Sequence, residues 1–104
     1  MTTDQRGQQL LIGWGAADLT PDEPVQLTGQ FHARVSEGVR DPITATALVL
    51  TSHEGAASNT AVMVSCDLVT IPESLLNAVR SEVHSAVPEL DPNCVFLNGP
   101  HTHT

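Results

Sequence analysis

The stretch TAVMVSCDLVTIPESLLNAVRSEVHSAVPELDPNCVFLN, residues 60–98, determines the fold. Its two ends, residues 60–66 and 94–98, are rich in aliphatic and β-branched residues, which favours β-strands. The first end is apolar on both faces, as expected of a central, buried strand. Between the strands, apolar side chains recur at helical spacing, at Leu75, Leu76, Val79, Val83 and Val87. Pro72 suits the first turn of a helix and Pro88 ends it, so the stretch predicts a strand–helix–strand unit.

This unit predicts where side chains of chemical interest meet. Parallel strands joined by a helix place their carboxyl ends at one edge of a sheet, which is where open α/β sheets bind ligands. Asp67 follows the first of these strands, and His101 and His103 follow the second. We therefore expect one carboxylate and two imidazoles at a common edge.

The N-terminal part of the chain is less regular. Residues 1–8 are polar and predict a disordered tail. Residues 10–19 predict a strand, in which Gly13 and Gly15 suggest a bulge or the close approach of another backbone. Residues 25–40 alternate poorly and predict mostly loop, and irregular stretches of this length are often functional.

Residues 43–51 (ITATALVLT) predict a further strand, connected to residues 60–66 by a hairpin over 52–59. The predicted class is α/β, with a small mixed sheet, one hairpin and one βαβ unit. A chain of 104 residues is too short for a second independent core, so we expect residues 9–104 to contribute to a single core.

Charge and composition exclude several classes of partner. The formal net charge is −8, with four arginines and no lysine. Such a surface repels phosphate backbones, which argues against nucleic acid, and it disfavours anionic membranes. No apolar run is long enough to span a bilayer, and we identify no signal peptide, so we expect a cytoplasmic location. Cys66 and Cys94 lie in apolar runs and suggest buried thiols, although a disulfide between neighbouring strands stays open.

The pair His101 and His103 is the candidate site. In an extended segment, residues two apart point to the same side, so both rings could bind one metal, or one could bind the metal and the other the substrate. Zinc suits imidazole, and a catalytic zinc has three protein ligands and one open position. A solvated C-terminal pair with no function is the alternative.

Each of the other candidate residues has a purely structural interpretation as well as a functional one. Asp67 caps the loop before the helix, or it orients a ligand histidine through a hydrogen bond. His32 lies in the irregular stretch and could line a site. His53 is expected to be solvent-exposed in the hairpin connection, and His84 to be a boundary residue of the helix.

Several segments, in order, resemble the N-terminal part of the neutral/alkaline non-lysosomal ceramidase family. They are GAADLTP at 15–21, LTG at 27–29, EGV at 37–39 followed by DP at 41–42, the strand at 45–50, VSCDL at 64–68, and Asn98 followed by His-Thr-His at 101–103. The resemblance extends over residues 12–104. It implies that the chain is an incomplete part, the N-terminal portion, of a larger α/β catalytic domain.

The resemblance also implies an activity. Members of this family are zinc amidases, often secreted or membrane-associated, that hydrolyse the N-acyl amide bond of ceramide, a step of sphingolipid metabolism. Carried over to this chain, it implies that His101 is a zinc ligand and that His103 is a catalytic residue beside the lipid amide substrate. The family's other zinc ligands and its serine have no counterpart in these residues, so we expect the chain alone to be inactive.

Two other functions stay open. The chain could be a non-catalytic module that packs against another chain, for example through an unpaired sheet edge. It could also be a small metal-binding protein that uses His101, His103 and Asp67.

Overall fold

The structure is a computed structural model that describes residues 8–104. It contains four strands, β1 (Gln8–Asp18), β2 (Thr44–Glu54), β3 (Ala57–Cys66) and β4 (Val95–Asn98), one α-helix, α1 (Glu73–Ala86), and a short 3₁₀ helix (Pro92–Cys94). The strands form one mixed sheet in the order β1-β2-β3-β4. The predicted class, a small mixed sheet with one hairpin and one βαβ unit, is therefore confirmed. The predicted tail lies outside the described residues, except for Gln8, which begins β1.

The strand–helix–strand unit forms as expected. β4 pairs parallel with β3, with Val62 opposite Val95 and Ser65 opposite Asn98. Helix α1 follows Pro72 directly and ends before Val87, the residue that precedes Pro88. β4 begins one residue later than predicted, because residues 92–94 form a 3₁₀ turn in which the Asn93 amide donates to the side chain of Asp91.

The hairpin between β2 and β3 is much tighter than predicted. Both strands run on through the small polar residues, so that Glu54 pairs with Ala57 and only Gly55 and Ala56 form the loop. Gly55 has a φ of 60° while Ala56 stays in the negative region, the pattern of a type II′ turn with glycine at its first central position. The prediction for His53 is therefore wrong, since this residue lies half-buried within β2.

The first strand is regular along its whole length. It pairs antiparallel with β2 without interruption, from Gln8 opposite Glu54 to Asp18 opposite Thr44. The bulge or close backbone approach predicted from its glycines is wrong. A Cβ at Gly13 would only touch the Cβ of Val49, at 3.7 Å, and one at Gly15 would have no neighbour within 4 Å.

The sheet has one covered face and one uncovered face. On the covered face, Val95 is 1% exposed and Cys66 is 6% exposed. Helix α1 is attached to this part of the sheet by Arg80, whose guanidinium donates two hydrogen bonds, of 2.9 and 3.2 Å, to the carbonyl oxygen of Val95. These residues form the packed part of the described chain.

The opposite face carries a row of apolar side chains that crosses all four strands. Residues opposite one another in the ladders point to the same side, which aligns Trp14, Leu48, Met63 and Phe96. Three of the four are largely exposed, at 73% for Trp14, 42% for Met63 and 52% for Phe96. The expectation that residues 60–66 are buried on both faces is therefore wrong within this chain, because nothing in residues 8–104 covers the face that carries Met63.

The cysteines are free, and their placement excludes a disulfide within the chain. Val95 lies opposite Val62, so Cys94 lies level with Ala61, about 16 Å along β3 from Cys66. A disulfide needs Cα atoms about 4.4–6.8 Å apart. Burial, and then the negative charge of Asp67, raise the pKa of the Cys66 thiol, so this residue is an inert part of the core.

Residues 25–40 are mostly loop, as predicted, but they have an internal order. Gln26 and Val35 form an isolated antiparallel bridge. Backbone hydrogen bonds of 2.8 Å from Leu27 to Arg34 and from Ser36 to Val25 close the base of this excursion. The tip, which carries Phe31, is fully exposed.

Candidate functional site

The C-terminal residues fold back onto the loop that follows β3. The amides of His101 and Thr102 both donate to the carbonyl oxygen of Leu68, each at 3.2 Å. Gly99 makes this approach feasible, since a Cβ at this position would lie 2.9 Å from the same oxygen. The parallel pairing of β3 and β4 thus brings the two loops to one edge of the sheet, as the sequence predicts.

The two histidine rings lie side by side. Their centroids are 4.6 Å apart and their planes meet at 73°, an edge-to-face arrangement. The route to this arrangement differs from the extended segment predicted, because His101 has a φ of 74°, in the left-handed region. A turn directly after Pro100, rather than strand alternation, brings the rings together.

One nitrogen of His101 is held in a defined state. Its Nδ1 lies 3.0 Å from the carbonyl oxygen of Val69. A carbonyl can only accept, so Nδ1 carries the proton, and the lone pair of the neutral ring is on Nε2. A backbone carbonyl bonded to the distal nitrogen is a common way to orient a histidine that ligates a metal.

His103 lies against the irregular loop. A Cβ at Gly29 would overlap the Cε1 atom of the His103 ring and would lie 3.0 Å from its Nδ1, so any other residue at position 29 would displace this ring. Gly29 also has a φ of 90°, which glycine adopts without strain. Residues 26–33, including His32, line an open depression of about 490 Å³. The loop containing His32 therefore borders the histidine pair.

Asp67 lies at the same edge but bonds elsewhere. Its Oδ2 accepts hydrogen bonds from the amide of Thr44, at 2.9 Å, and from the hydroxyl of Thr44, at 3.1 Å. The Asp67 amide in turn donates to the Thr44 carbonyl at 3.0 Å. Among the described residues, the carbonyl of Val69 accepts the hydrogen bond that orients His101. Asp67 instead anchors the loop that carries Val69 to the start of β2.

Two other histidines lie on elements away from this edge of the sheet. His53 lies in β2 next to the hairpin, and His84 is exposed on α1. The contributions of Leu68, Val69 and Gly29 were not predicted from the sequence. The first two act through backbone carbonyls, which carry no residue-type signal. A glycine in an irregular loop gives no indication of which side chain it accommodates.

The donor set fits part of a zinc site. Two exposed imidazoles, one with a fixed tautomer, are suitable ligands for zinc, but a catalytic zinc has three protein ligands. Within residues 8–104, no group of three or more His, Cys, Asp or Glu side chains is close enough to hold a metal ion.

Comparisons with known proteins leave the family unassigned. No family model matches the chain, and no curated protein matches it. None of the helices in the described part of the chain is long and apolar enough to cross a membrane.

Proposed function

We propose that this chain supplies the first zinc ligand, His101, and a substrate-side histidine, His103, to a zinc-dependent amidohydrolase that resembles neutral ceramidase. The substrate class is ceramide or a related lipid amide. The observation that supports the proposal is the hydrogen bond that Nδ1 of His101 donates to the carbonyl of Val69. This bond leaves the lone pair of Nε2 available to bind a metal ion. The resemblance of residues 12–104 to that family supplies the reaction.

Zinc, when bound, would polarise the amide carbonyl as a Lewis acid. The chain's own residues have two tasks in this proposal. His101 presents the Nε2 lone pair, and the carbonyls of Leu68 and Val69 fix its backbone and ring. His103, whose ring lies 4.6 Å from that of His101 between centroids and packs against Gly29, would exchange a proton with the substrate.

The described residues hold too few ligands for activity on their own. A site with three protein ligands would need at least one more from outside residues 8–104. We therefore expect this chain to release no sphingosine from ceramide, and measured release would contradict the proposal that further ligands are required.

Zinc titration by calorimetry tests the assignment of His101. We expect weak binding by the chain, lost in His101→Ala. Because position 101 has a positive φ, His101→Gly separates loss of the ring from backbone strain, and both variants should lose zinc. His84→Ala, which removes an exposed histidine from α1, is the matched control and should bind as the wild type does. Zinc binding that persists unchanged in both position-101 variants would reject the assignment.

A second function, a non-catalytic packing module, is favoured by one observation, the uncovered apolar row that includes Trp14, Met63 and Phe96. Exposed apolar patches of this kind mark interaction surfaces. The titration separates the functions, because a packing module binds no zinc. Tight binding by the chain alone would instead favour a small metal-binding protein.

A further inference from the structure

The outer edge of β1 lacks the features that prevent an edge strand from pairing with a strand of another molecule. Proteins protect such edges with lysine, proline, bulges or short strands. β1 is eleven residues long, has an uninterrupted ladder, and contains neither proline nor a basic residue. Its one charged residue, Asp18, is at its end. This edge is therefore a suitable template for another strand.

The ladder shows which backbone groups are free to pair. Leu19 donates its amide to the carbonyl of Ile43, so these two opposite residues form a hydrogen-bonded pair. Hydrogen-bonded pairs alternate with non-bonded pairs along the ladder, so the odd-numbered residues of β1 direct their N–H and C=O groups toward β2. The even-numbered residues, among them Ile12, Trp14 and Ala16, direct their N–H and C=O groups away from β2. In residues 8–104, no other element bonds to these groups.

We propose that two copies of this chain form a two-fold symmetric dimer in which β1 pairs antiparallel with β1 of the second copy. Pairing all eleven residues of both strands places the two Gly13 residues opposite each other at the axis. Only even-numbered residues then form the hydrogen-bonded pairs, as the free backbone groups require. The two four-stranded sheets become one continuous sheet.

The side chains complement one another in this register. On the uncovered face, Ile12 of one copy lies opposite Trp14 of the other, and an aromatic residue paired with a β-branched one is a favourable cross-strand contact. Both are exposed in the single chain, at 57% and 73%. On the other face, Leu11 lies opposite Gly15, where the space around the glycine is open. The glycines of β1 thus leave room for the second copy.

The charges permit this pairing despite a net charge of −8 per chain. Asp18 of each copy lies opposite the neutral Gln8 of the other. The two Asp18 residues are at opposite ends of the paired strands, about 33 Å apart, well beyond the screening length of about 8 Å at physiological salt. Repulsion then comes only from the rest of the surface, so added salt should strengthen the dimer.

The edge of β1 offers exposed apolar side chains to the second copy. Leu10, Leu11, Ile12 and Trp14 are each more than half exposed. Together they expose on the order of 500 Å² per copy, of which edge pairing covers only a part, so the interface belongs to the small class in which dimers are weak.

Sedimentation equilibrium of the 104-residue chain tests the proposal. We expect a dimer whose dissociation constant falls as salt is raised from 20 to about 300 mM. Ala16→Pro removes an outward N–H that β2 does not use, so it should leave the circular dichroism spectrum unchanged and give a monomer. Trp14→Lys is a second variant in case the proline perturbs β1, and we expect it to raise the dissociation constant at least tenfold. Phe96→Lys, on the same face but on β4, is the matched control and should remain dimeric.

Two results would overturn the proposal. One is a wild-type chain that stays monomeric at several hundred micromolar in high salt. The other is a dimer that survives Ala16→Pro but dissociates in both Trp14→Lys and Phe96→Lys, because such a dimer packs through the uncovered face that carries both side chains rather than through the edge of β1.

Discussion

β4 and β1 are the two edges of one sheet, and their surroundings differ. In β4, Val95 is 1% exposed beneath α1, and the carbonyl of the same residue accepts both hydrogen bonds from Arg80. In β1, the large apolar side chains of Leu10, Ile12 and Trp14 are all more than half exposed. The difference shows that the core of this chain belongs to the βαβ unit, while β1 is held mainly by its backbone ladder to β2.

The largest effect that tests this comparison should come from Val95. Val95→Ala removes two methyl groups from the most buried side chain of the βαβ unit, and we expect a loss of about 2–3 kcal/mol in the free energy of unfolding. The matched variant Phe96→Ala, one residue along the same strand and on the uncovered face, should cost less than about 1 kcal/mol. Urea denaturation followed by circular dichroism measures both. Equal losses would show that both faces of the sheet are covered in solution.

A smaller effect should come from Gly99, which joins the βαβ unit to the histidine pair. In Gly99→Ala the new methyl group meets the carbonyl oxygen of Leu68, and we expect a loss of about 1–2 kcal/mol with faster hydrogen exchange at His101 and Thr102. Gly38→Ala is the control, since a Cβ there has no neighbour within 4 Å. Unchanged exchange at both amides would show that the C-terminal turn does not depend on this close approach.

The smallest effect concerns Asp18, at the end of β1. Hydrogen bonds from the hydroxyl and the amide of Thr20 lower the pKa of Asp18 below its ordinary value. Because the folded pKa is lowered, the stabilisation is present above about pH 4 and is lost as the pH falls through the lowered value. Asp18→Asn should therefore lower the urea midpoint slightly at pH 7 and have a smaller effect at acidic pH. In Thr20→Val, an NMR titration should show a higher pKa for Asp18, and an unchanged value would contradict the assigned cause.

The sequence predicted the parts of the fold that depend on local pattern. The helix after Pro72 and the parallel strands around it follow from spacing within residues 60–98, and the structure confirms them. The extent of the hairpin was wrong, because residues 52–59 are small and polar and their strand character comes from pairing with each other. Burial of β3 on both faces was also wrong, since burial depends on what packs against a strand and not on its composition alone.

The candidate site was predicted only in outline. The order of the elements was enough to place Asp67, His101 and His103 at one edge. The contacts that define the site come from the backbone carbonyls of Leu68 and Val69. Backbone groups are the same at every position, so no residue pattern could have identified them. Whether His101 binds zinc and His103 acts in catalysis stays a prediction.

The hydrogen bonds from Arg80 to β4 affect how many copies of the chain can add to one sheet. A sheet with two open edges can add copies at both ends and grow into a fibre. Here β4 is only four residues long, and Arg80 occupies the Val95 carbonyl on that strand. If β1 pairs with its own copy, each chain uses its long edge once, and the short, occupied edges are left facing outward. Growth then stops at two copies, because a two-fold contact closes on itself.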